Sequence, residues 1–450
     1  MQLELSKEYI ERLQTAIEEQ DVDFVVQSMQ EQHPADITAV LHELDTAESK
    51  FVVDQLDNEI TAEIISNLDV DTRKRFLKVF ESEEVALLLP FMNSDDATDL
   101  LEEQPVKFRE EVIALIDDVE TANNIIELLH YDDDCAGGLM AKELIKANIN
   151  WSVVQTIEEI RSQAENVDKI FSVYVVDDND RLLGIVSVKK ILLARANTLI
   201  ADIFESDIIS IESYREDWEV VDLIRKYDLE AIPVVNMAGR LLGVITIDDV
   251  VDVITEQAVE EQQIMSGITQ NVEEDDNVWR STRARLPWLL IGMIGGLTGA
   301  QFMGFFENDL QLVPAMAFFI PLITATGGNV GIQSSTIMIQ SLASSTGLES
   351  SFLLRIIKVL LIALLNASIM CSIVFGFVLI SGQETKLASV VSLALFSVVI
   401  LASLMGTITP IILDKLGINP ALASGPFITT ANDLIGLGVY FGMAHLLFGM

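Results

Sequence analysis

The chain is 450 residues long, with 69 acids against 28 bases for a formal net charge of −41, yet half of it is hydrophobic and its mean hydropathy is +0.38. So acidic a balance argues against binding a nucleic-acid backbone, which needs an excess of Lys and Arg, and favours a partner carrying positive charge. At about 150 residues per domain, the length predicts about three domains.

Charge and hydropathy separate along the chain. From Leu286 onward there are six acids (Glu307, Asp309, Glu349, Glu384, Asp414, Asp433) and four bases (Arg355, Lys358, Lys386, Lys415), which leaves a net −39 before that point. An acidic soluble region therefore precedes a nearly neutral apolar one, and an ordinary soluble enzyme is excluded. Cys135 and Cys371 provide neither a disulfide framework nor zinc spacing. The polar, acidic start from Met1 to Glu19 predicts no signal peptide and a cytoplasmic N-terminal region.

Before residue 130 a pattern recurs every twelve residues: two adjacent apolar residues and a third three positions later. It reads Val40-Leu41/Leu44, Val52-Val53/Leu56, Ile64-Ile65/Leu68, Phe76-Leu77/Phe80, Leu88-Leu89/Met92, Leu100-Leu101 (then Gln104) and Val112-Ile113/Ile116. That spacing marks one face of a helix. Asp45, Asp57, Asp69, Asn93 and Asp117 follow the third position and suit caps or turns. Residues 1–130 are thus expected to form an all-α helical-repeat superhelix of short helices paired into hairpins of about 24 residues.

A second repeat has a period of 59 residues. Val173-Tyr-Val-Val-Asp-Asp-Asn-Asp-Arg-Leu-Leu-Gly184 aligns with Ile232-Pro-Val-Val-Asn-Met-Ala-Gly-Arg-Leu-Leu-Gly243, and Ser187 and Lys190 align with Thr246 and Asp249. Each copy predicts strand, polar turn, strand and then a helix from near residue 189 or 248, preceded by an amphipathic helix around Val153–Arg161 or Glu219–Tyr227. Acids cluster nearby. Asp95 and Asp99 share a helix face at i, i+4, with Asp96 beside them. Asp248, Asp249 and Asp252 open the last helix, and Glu256, Glu260, Glu261, Glu273, Glu274, Asp275 and Asp276 follow it. For most such acids a solvated helix face is explanation enough.

Five apolar stretches follow: roughly Leu286–Phe306, Leu312–Ile339, Leu353–Ile380, Leu387–Leu413 and Ala421–Phe448. Each is long enough for a membrane helix, which takes about 20 residues. Arg280, Arg283 and Arg285 before the first, Arg355 and Lys358 at the second junction and Lys415 at the fourth put the acidic region in the cytoplasm and the C-terminus outside. Pro321 and the glycines of the segment running through Asn329 and Gly331 to Gln333 are expected to open the second span and present carbonyls; close helix packing through small residues is the alternative. Asp433 is the acid well inside the fifth span, with no base in a span interior to pair with it, and such a residue is a functional site by default. Glu307 falls at the expected outer mouth. His33, His42, His130 and His445 are scattered, and there is no nucleophile–base pair or phosphate loop, so the chain is not read as an enzyme.

The two 59-residue copies resemble a tandem pair of CBS domains. Together with the helical repeats, Tyr131-Asp-Asp-Asp-Cys-Ala-Gly-Gly-Leu-Met140, the GGN-x-G-x-Q segment and the late intramembrane Asp433, the whole chain is similar to MgtE-type magnesium transporters. The resemblance implies a multidomain protein: a helical-repeat domain (1–130), an α+β CBS pair (131–253, the copies at about 137–200 and 201–253), a connecting plug helix (254–280) and a five-span α-helical transmembrane bundle (281–450). It implies a homodimeric Mg²⁺ channel of the cell (inner) membrane in which Mg²⁺ is both substrate and regulator. Its pore ligands map to Asp433, Gly425, Thr429, Gly436 and Asn329, and its cytoplasmic sensor to Asp95, Asp99, Asp249, Asp252, Glu256, Glu260 and Glu261. It also implies ATP at the CBS domains, with Thr246 and Asp249 as nucleotide ligands; the first copy has Lys190 where that Asp would stand. A Co²⁺ or Ni²⁺ transporter and a non-transporting nucleotide-sensing receptor are the competing readings.

Overall fold

The twelve-residue period sets where helices begin. The computed structural model describes residues 6–30, 32–163, 170–269, 272, 277–343, 352–423 and 425–449. The chain divides into two compact units, Met1–Ile254 and Thr255–Met450. The first opens with ten short helices: α1 (Lys7–Glu18), α2 (Val22–Met29), α3 (Pro34–Leu41), α4 (Thr46–Val53), α5 (Asn58–Ser66), α6 (Val70–Phe76), α7 (Ser82–Leu88), α8 (Ser94–Glu102), α9 (Val106–Leu115) and α10 (Val119–Leu128). The apolar pairs point inward: Val52, Val53, Ile64, Ile65, Leu88, Leu89, Leu100 and Leu101 are all buried in one core.

Packing runs between alternate helices, α3 on α5, α5 on α7 and α7 on α9, with α4 on α6 and α8 on α10 as a second row. The array is therefore a continuous superhelix rather than a string of separate hairpins. Asp45 caps α4 through the backbone N–H groups of Ala47 and Glu48, and Glu48 reciprocates in a capping box. Asp69 caps α6. Asp57 and Asn93 stand at N-caps without a side-chain bond. The cap of α10 is Asp118, not Asp117, because the ninth helix runs one residue longer than the period.

Each CBS copy folds as strand–helix–strand–strand–helix. The first has β1 (Ile145–Asn148), α11 (Val153–Gln163), β2 (Val173–Val176), β3 (Leu182–Val186) and α12 (Val188–Leu193). The second has β4 (Ile211–Glu212), α13 (Asp217–Tyr227), β5 (Ala231–Val235), β6 (Leu241–Thr246) and α14 (Ile247–Met265). In both, the leading strand is parallel to the second, which is antiparallel to the third. The repeat alignment predicts the hairpin and both helices of each copy but not the leading strands, which at four and two residues are too short to show alternation. Leu128, Ala136 and Met140 are buried in the second copy's core, which fastens the end of the superhelix to it.

Between the CBS pair and the first span, the helical structure is α14 itself, continuing to Met265. Residues 270–271 and 273–276 lie outside the described residues, and with them Glu273, Glu274, Asp275 and Asp276. The second unit then contains α15 (Val278–Gly304), α16 (Glu307–Leu312), α17 (Ile320–Ala343), α18 (Phe352–Ile380), α19 (Thr385–Lys415) and α20 (Pro426–Phe448). Five of its helices are long and apolar enough to cross a membrane. The first starts at Val278, so Arg280, Arg283 and Arg285 ride on the helix rather than before it. α19 is the centre, packing on α17, α18 and α20, while α15 leans on α20.

Candidate functional site

Two sets of polar side chains stand apart from the packing. The first is in the membrane domain. α17 is an unbroken α-helix through Gly327, Gly328 and Gly331, so the second span does not open as expected. Pro321 falls in the first turn of the helix, where its missing N–H costs no intrahelical bond. The glycines serve proximity instead. A Cβ on Gly331 would stand 2.0 Å from Asn432 Nδ2, one on Gly327 2.9 Å from Val398 Cγ1, and one on Gly406 of α19 2.3 Å from the Gly331 carbonyl oxygen. Three helices thus meet backbone to backbone, which is how small residues build membrane packing.

That closeness positions α20. Gly425, Thr429, Asp433 and Gly436 recur at helical spacing on one face. Asp433 is half-buried, and a Cβ on Gly328 would lie 3.9 Å from its Oδ1. Thr429 Oγ1 donates to the Gly425 carbonyl at 2.8 Å. Gly436 packs against Ile323 and Val398. Asn329 is exposed on α17. Glu307 is exposed and accepts from Gln311. Asn432, buried behind Asp433, escaped the sequence reading; its signal was an amide next to an intramembrane acid.

Gly425 begins α20 with φ 59° and ψ −130°, a conformation open to glycine. A Cβ there would lie 2.4 Å from the Met265 carbonyl oxygen, and one on Gly267 2.8 Å from Pro426. The last turn of α14 is therefore seated on the elbow that leads to Asp433. Thr269 secures the segment by donating from its N–H and Oγ1 to the Ala284 carbonyl of α15, at 3.0 and 2.9 Å.

The second set lies in the first unit. Ser94, at the start of α8, donates from N–H and Oγ to Glu143 at 3.1 and 2.8 Å and accepts from the Lys142 N–H at 2.8 Å. This ties α8 to the entrance of the CBS pair and brings its acids to the start of α14. Asp95 is held well above the usual carboxylate range, first by burial, then by the charges of Asp249, Asp96 and Glu143. Asp96 is raised by burial, with Asp252 and Asp248 adding to it and Arg73 opposing. Asp99 is exposed, yet desolvation by its surroundings, opposed by Arg73 and aided by Asp96, Asp133 and Glu103, takes it to about 7. Asp249 is pushed up by burial although Thr246 N–H and Oγ1 donate to its Oδ2 at 2.8 and 2.9 Å. Asp252 is raised by burial and by Asp248.

Asp95 is thus brought to Asp249, and Asp96 to Asp248 and Asp252, whereas Asp99 answers to Arg73, Asp96, Asp133 and Glu103 on its own side. Glu256, Glu260 and Glu261 are exposed farther along α14. Among the described residues, no three acidic, His or Cys side chains are close enough to hold a metal between them. Thr246 and Asp249 are engaged with each other, and Thr246 also with Asp248. Lys190 in the first copy is paired with Glu205 at 2.6 Å.

Two acids of this region were not anticipated. Glu102 shares a hydrogen bond with Asp133, and burial together with that neighbour lifts it to about 8. Arg73 is the other omission. It is 7% exposed and makes a two-pronged bond to Glu103 at 2.5 and 3.1 Å. A partial signal for it was present: Ser49, Thr61, Val85 and Ala97, at twelve-residue intervals from it, are all buried, although Arg109 at the next interval is only half-buried.

Comparison with known proteins follows this division. Residues 320–443 match the family described as MgtE, divalent cation transporter; residues 32–134 match the MgtE intracellular N domain; residues 136–197 and 200–256 match CBS domains. The fold is that of a divalent-cation transporter that also carries an MgtE intracellular N domain and a pair of CBS domains. The magnesium transporter MgtE of Thermus thermophilus is 30% identical over 445 residues, 97% of each chain. That of Enterococcus faecalis is 34% identical over 328 residues, 73% of this chain and 72% of its own. This chain belongs to the MgtE family of magnesium transporters. Among solved structures, the cytosolic domain of the Mg²⁺ channel MgtE in complex with ATP is similar with a TM-score of 0.51 at 30% identity, covering 54% of this chain and 98% of its own.

Proposed function

We propose that this chain is a Mg²⁺ uptake channel of the cell membrane, closed from the cytoplasmic side when Mg²⁺ binds its acidic clusters. The observation that carries this reading is the meeting of α8 and α14 carboxylates, where the charges that act most strongly on Asp95 are those of Asp249, Asp96 and Glu143. Such a group lies together at neutral pH only if a proton or a cation compensates it. Mg²⁺ suits it, since that ion parts with water reluctantly and is usually bound through one or two carboxylates.

On this account α14 is the coupling element. Its first turns carry Asp249 and Asp252, and its last carbonyls rest against Gly425 at the foot of α20. Mg²⁺ favours the seated position only by binding it more tightly than the released one. Asp433, with the backbone of Gly425 and Gly436 and the Thr429 hydroxyl, faces the permeating ion. One chain supplies one such carboxylate, and a homodimer sets two about an axis. The bases of Arg280, Arg283 and Arg285 mark the cytoplasmic end of the bundle. A pore of oxygen ligands favours Mg²⁺ over softer Co²⁺ or Ni²⁺.

ATP is a further ligand on this reading, as in the relative's cytosolic domain. Because Asp249 already faces Asp95, a ribose at Thr246 and Asp249 and a cation at Asp95 compete for one carboxylate. Uptake by Asp433→Ala in a strain that depends on this route for Mg²⁺ is the direct test. Loss of growth at low Mg²⁺ is expected with normal protein in the membrane; full rescue would remove Asp433 from the pore.

A further inference from the structure

Acids on α8 do not share one environment. Asp95 feels Asp249, Asp96 and Glu143, all negative. Asp99 lies four residues before Glu103, on the same helix face, so the guanidinium that grips Glu103 stands on that face; it opposes the rise of Asp96 and Asp99, while Asp252 and Asp248 add to that of Asp96. Reciprocally, Arg73 is held charged by Glu103, Asp99 and Asp96 against the cost of its burial.

Two bases stand at this position of the repeat, Arg73 and Arg109, and Arg73 is the buried one. Its Nη2 and Nε grip the two oxygens of Glu103, and its Nη1 donates to the Ser66 carbonyl at the end of α5 at 3.4 Å. A guanidinium held by a two-pronged carboxylate and a backbone carbonyl has no freedom to follow an ion. Its side chain is 9% exposed and that of Glu103 10%, so the pair is poorly screened by salt.

We infer that Arg73 is a built-in cation of the sensor: clamped by Glu103 at the far end of α8, it offsets part of the negative charge on that side, so that less of it is left for metal to compensate and the demand for metal falls mainly on the acids that face α14. This rests on the Mg²⁺-closing reading and names what sets its threshold. A fixed positive charge lowers the number of ions the seated state must take up. Removing the charge leaves further carboxylates to be compensated, so closing needs more Mg²⁺ and depends on it more steeply. Keeping the charge on a different side chain preserves the threshold even if the fit suffers.

The test is Mg²⁺ flux through full-length protein in liposomes, with Mg²⁺ on the cytoplasmic side varied, for wild type, Arg73→Met, Arg73→Lys and Arg73→Met/Glu103→Met. Arg73→Met is expected to raise the half-closing Mg²⁺ by at least threefold and to steepen the curve. Arg73→Lys stays within twofold of wild type although its melting temperature falls, because Lys keeps the charge and loses the fork. The double variant, whose net charge equals that of wild type, recovers at least half of the shift and serves if the single Met variant does not fold. A purely structural role predicts that Lys and Met shift the threshold alike, and that result, or a Met variant closing at the wild-type concentration, overturns the inference. A wild type that does not close at any Mg²⁺ overturns the sensor reading itself, which the same experiment shows separately.

Discussion

Gly425→Ala isolates the contact between α14 and the foot of α20. Gly425 has φ 59° and ψ −130°, where an L-residue is strained by about 1–3 kcal/mol. That strain acts whether or not the helix is seated, so it cancels from the closing equilibrium. What does not cancel is the approach of the new Cβ to the Met265 carbonyl oxygen, 2.4 Å in the seated state. An ordinary carbon–oxygen contact is about 3.3 Å or more, so the last turn of α14 must retreat by roughly 1 Å. Overpacking of this kind costs about 1–3 kcal/mol. Taking about 2 kcal/mol, the closing equilibrium shifts roughly 30-fold toward open at a tenfold change per 1.4 kcal/mol.

Flux into liposomes at a cytoplasmic Mg²⁺ concentration that closes wild type measures this directly: Gly425→Ala is expected to leak. Gly382→Ala is the control, since Gly382 has φ 75° but nothing within 4 Å of its added Cβ. It incurs backbone strain without a clash and leaves closing unchanged. If Gly425→Ala closes at the same Mg²⁺ as wild type, the seated end of α14 is not the gate.

Three further outcomes are expected. In Mg²⁺-free buffer, protons replace the metal. Asp99 at about 7, facing Arg73, Asp96, Asp133 and Glu103, and Glu102 at about 8, facing Asp133, Asp99 and Arg109, are raised acids. Their stabilising protonated forms are complete below the unfolded carboxylate range and are lost as pH rises through 7 to 8. Protease resistance of the cytoplasmic region in the full chain should therefore increase from pH 8.5 to pH 6, and a decrease contradicts the assignment. Gly406→Ala, whose Cβ meets the Gly331 backbone oxygen at 2.3 Å, should destabilise the membrane domain by about 1–3 kcal/mol, whereas Gly376→Ala, with nothing within 4 Å, should not; thermal unfolding in detergent compares them. Asp249→Asn should raise the half-closing Mg²⁺ and also weaken ATP binding measured by calorimetry; unchanged Mg²⁺ dependence removes Asp249 from the sensor.

Much of the architecture was readable because it is periodic. The helix starts of the superhelix follow the apolar pairs, and the 59-residue repeat marks both hairpins and the first residues of α12 and α14. Strands β1 and β4 were not legible, since their pairing partner β2 or β5 defines them and their own few residues carry no pattern. The second span misled for a physical reason: proline and glycines in a row signal either an opened helix or a close crossing. Only the helices opposite, with Asn432 and Gly406 fitted to those glycines, distinguish the two. At the proposed sensor, Asp95, Asp99, Asp249 and Asp252 are evident as acids, but Arg73 is hidden among its neighbours Lys74 and Arg75 until its burial is known. Asp133 reads as one of three consecutive acids in a turn, and nothing local tells that it bonds to Glu102.

The central claim is that the ion passing Asp433 also closes the path from the cytoplasmic side. Mg²⁺ flux through purified protein in liposomes, at a fixed inward gradient with cytoplasmic-side Mg²⁺ stepped from micromolar to about 10 mM, tests it most directly. Flux that falls to the level of Asp433→Ala across the millimolar range is the predicted result; flux that tracks the gradient alone, with no inhibition by cytoplasmic Mg²⁺, would contradict it.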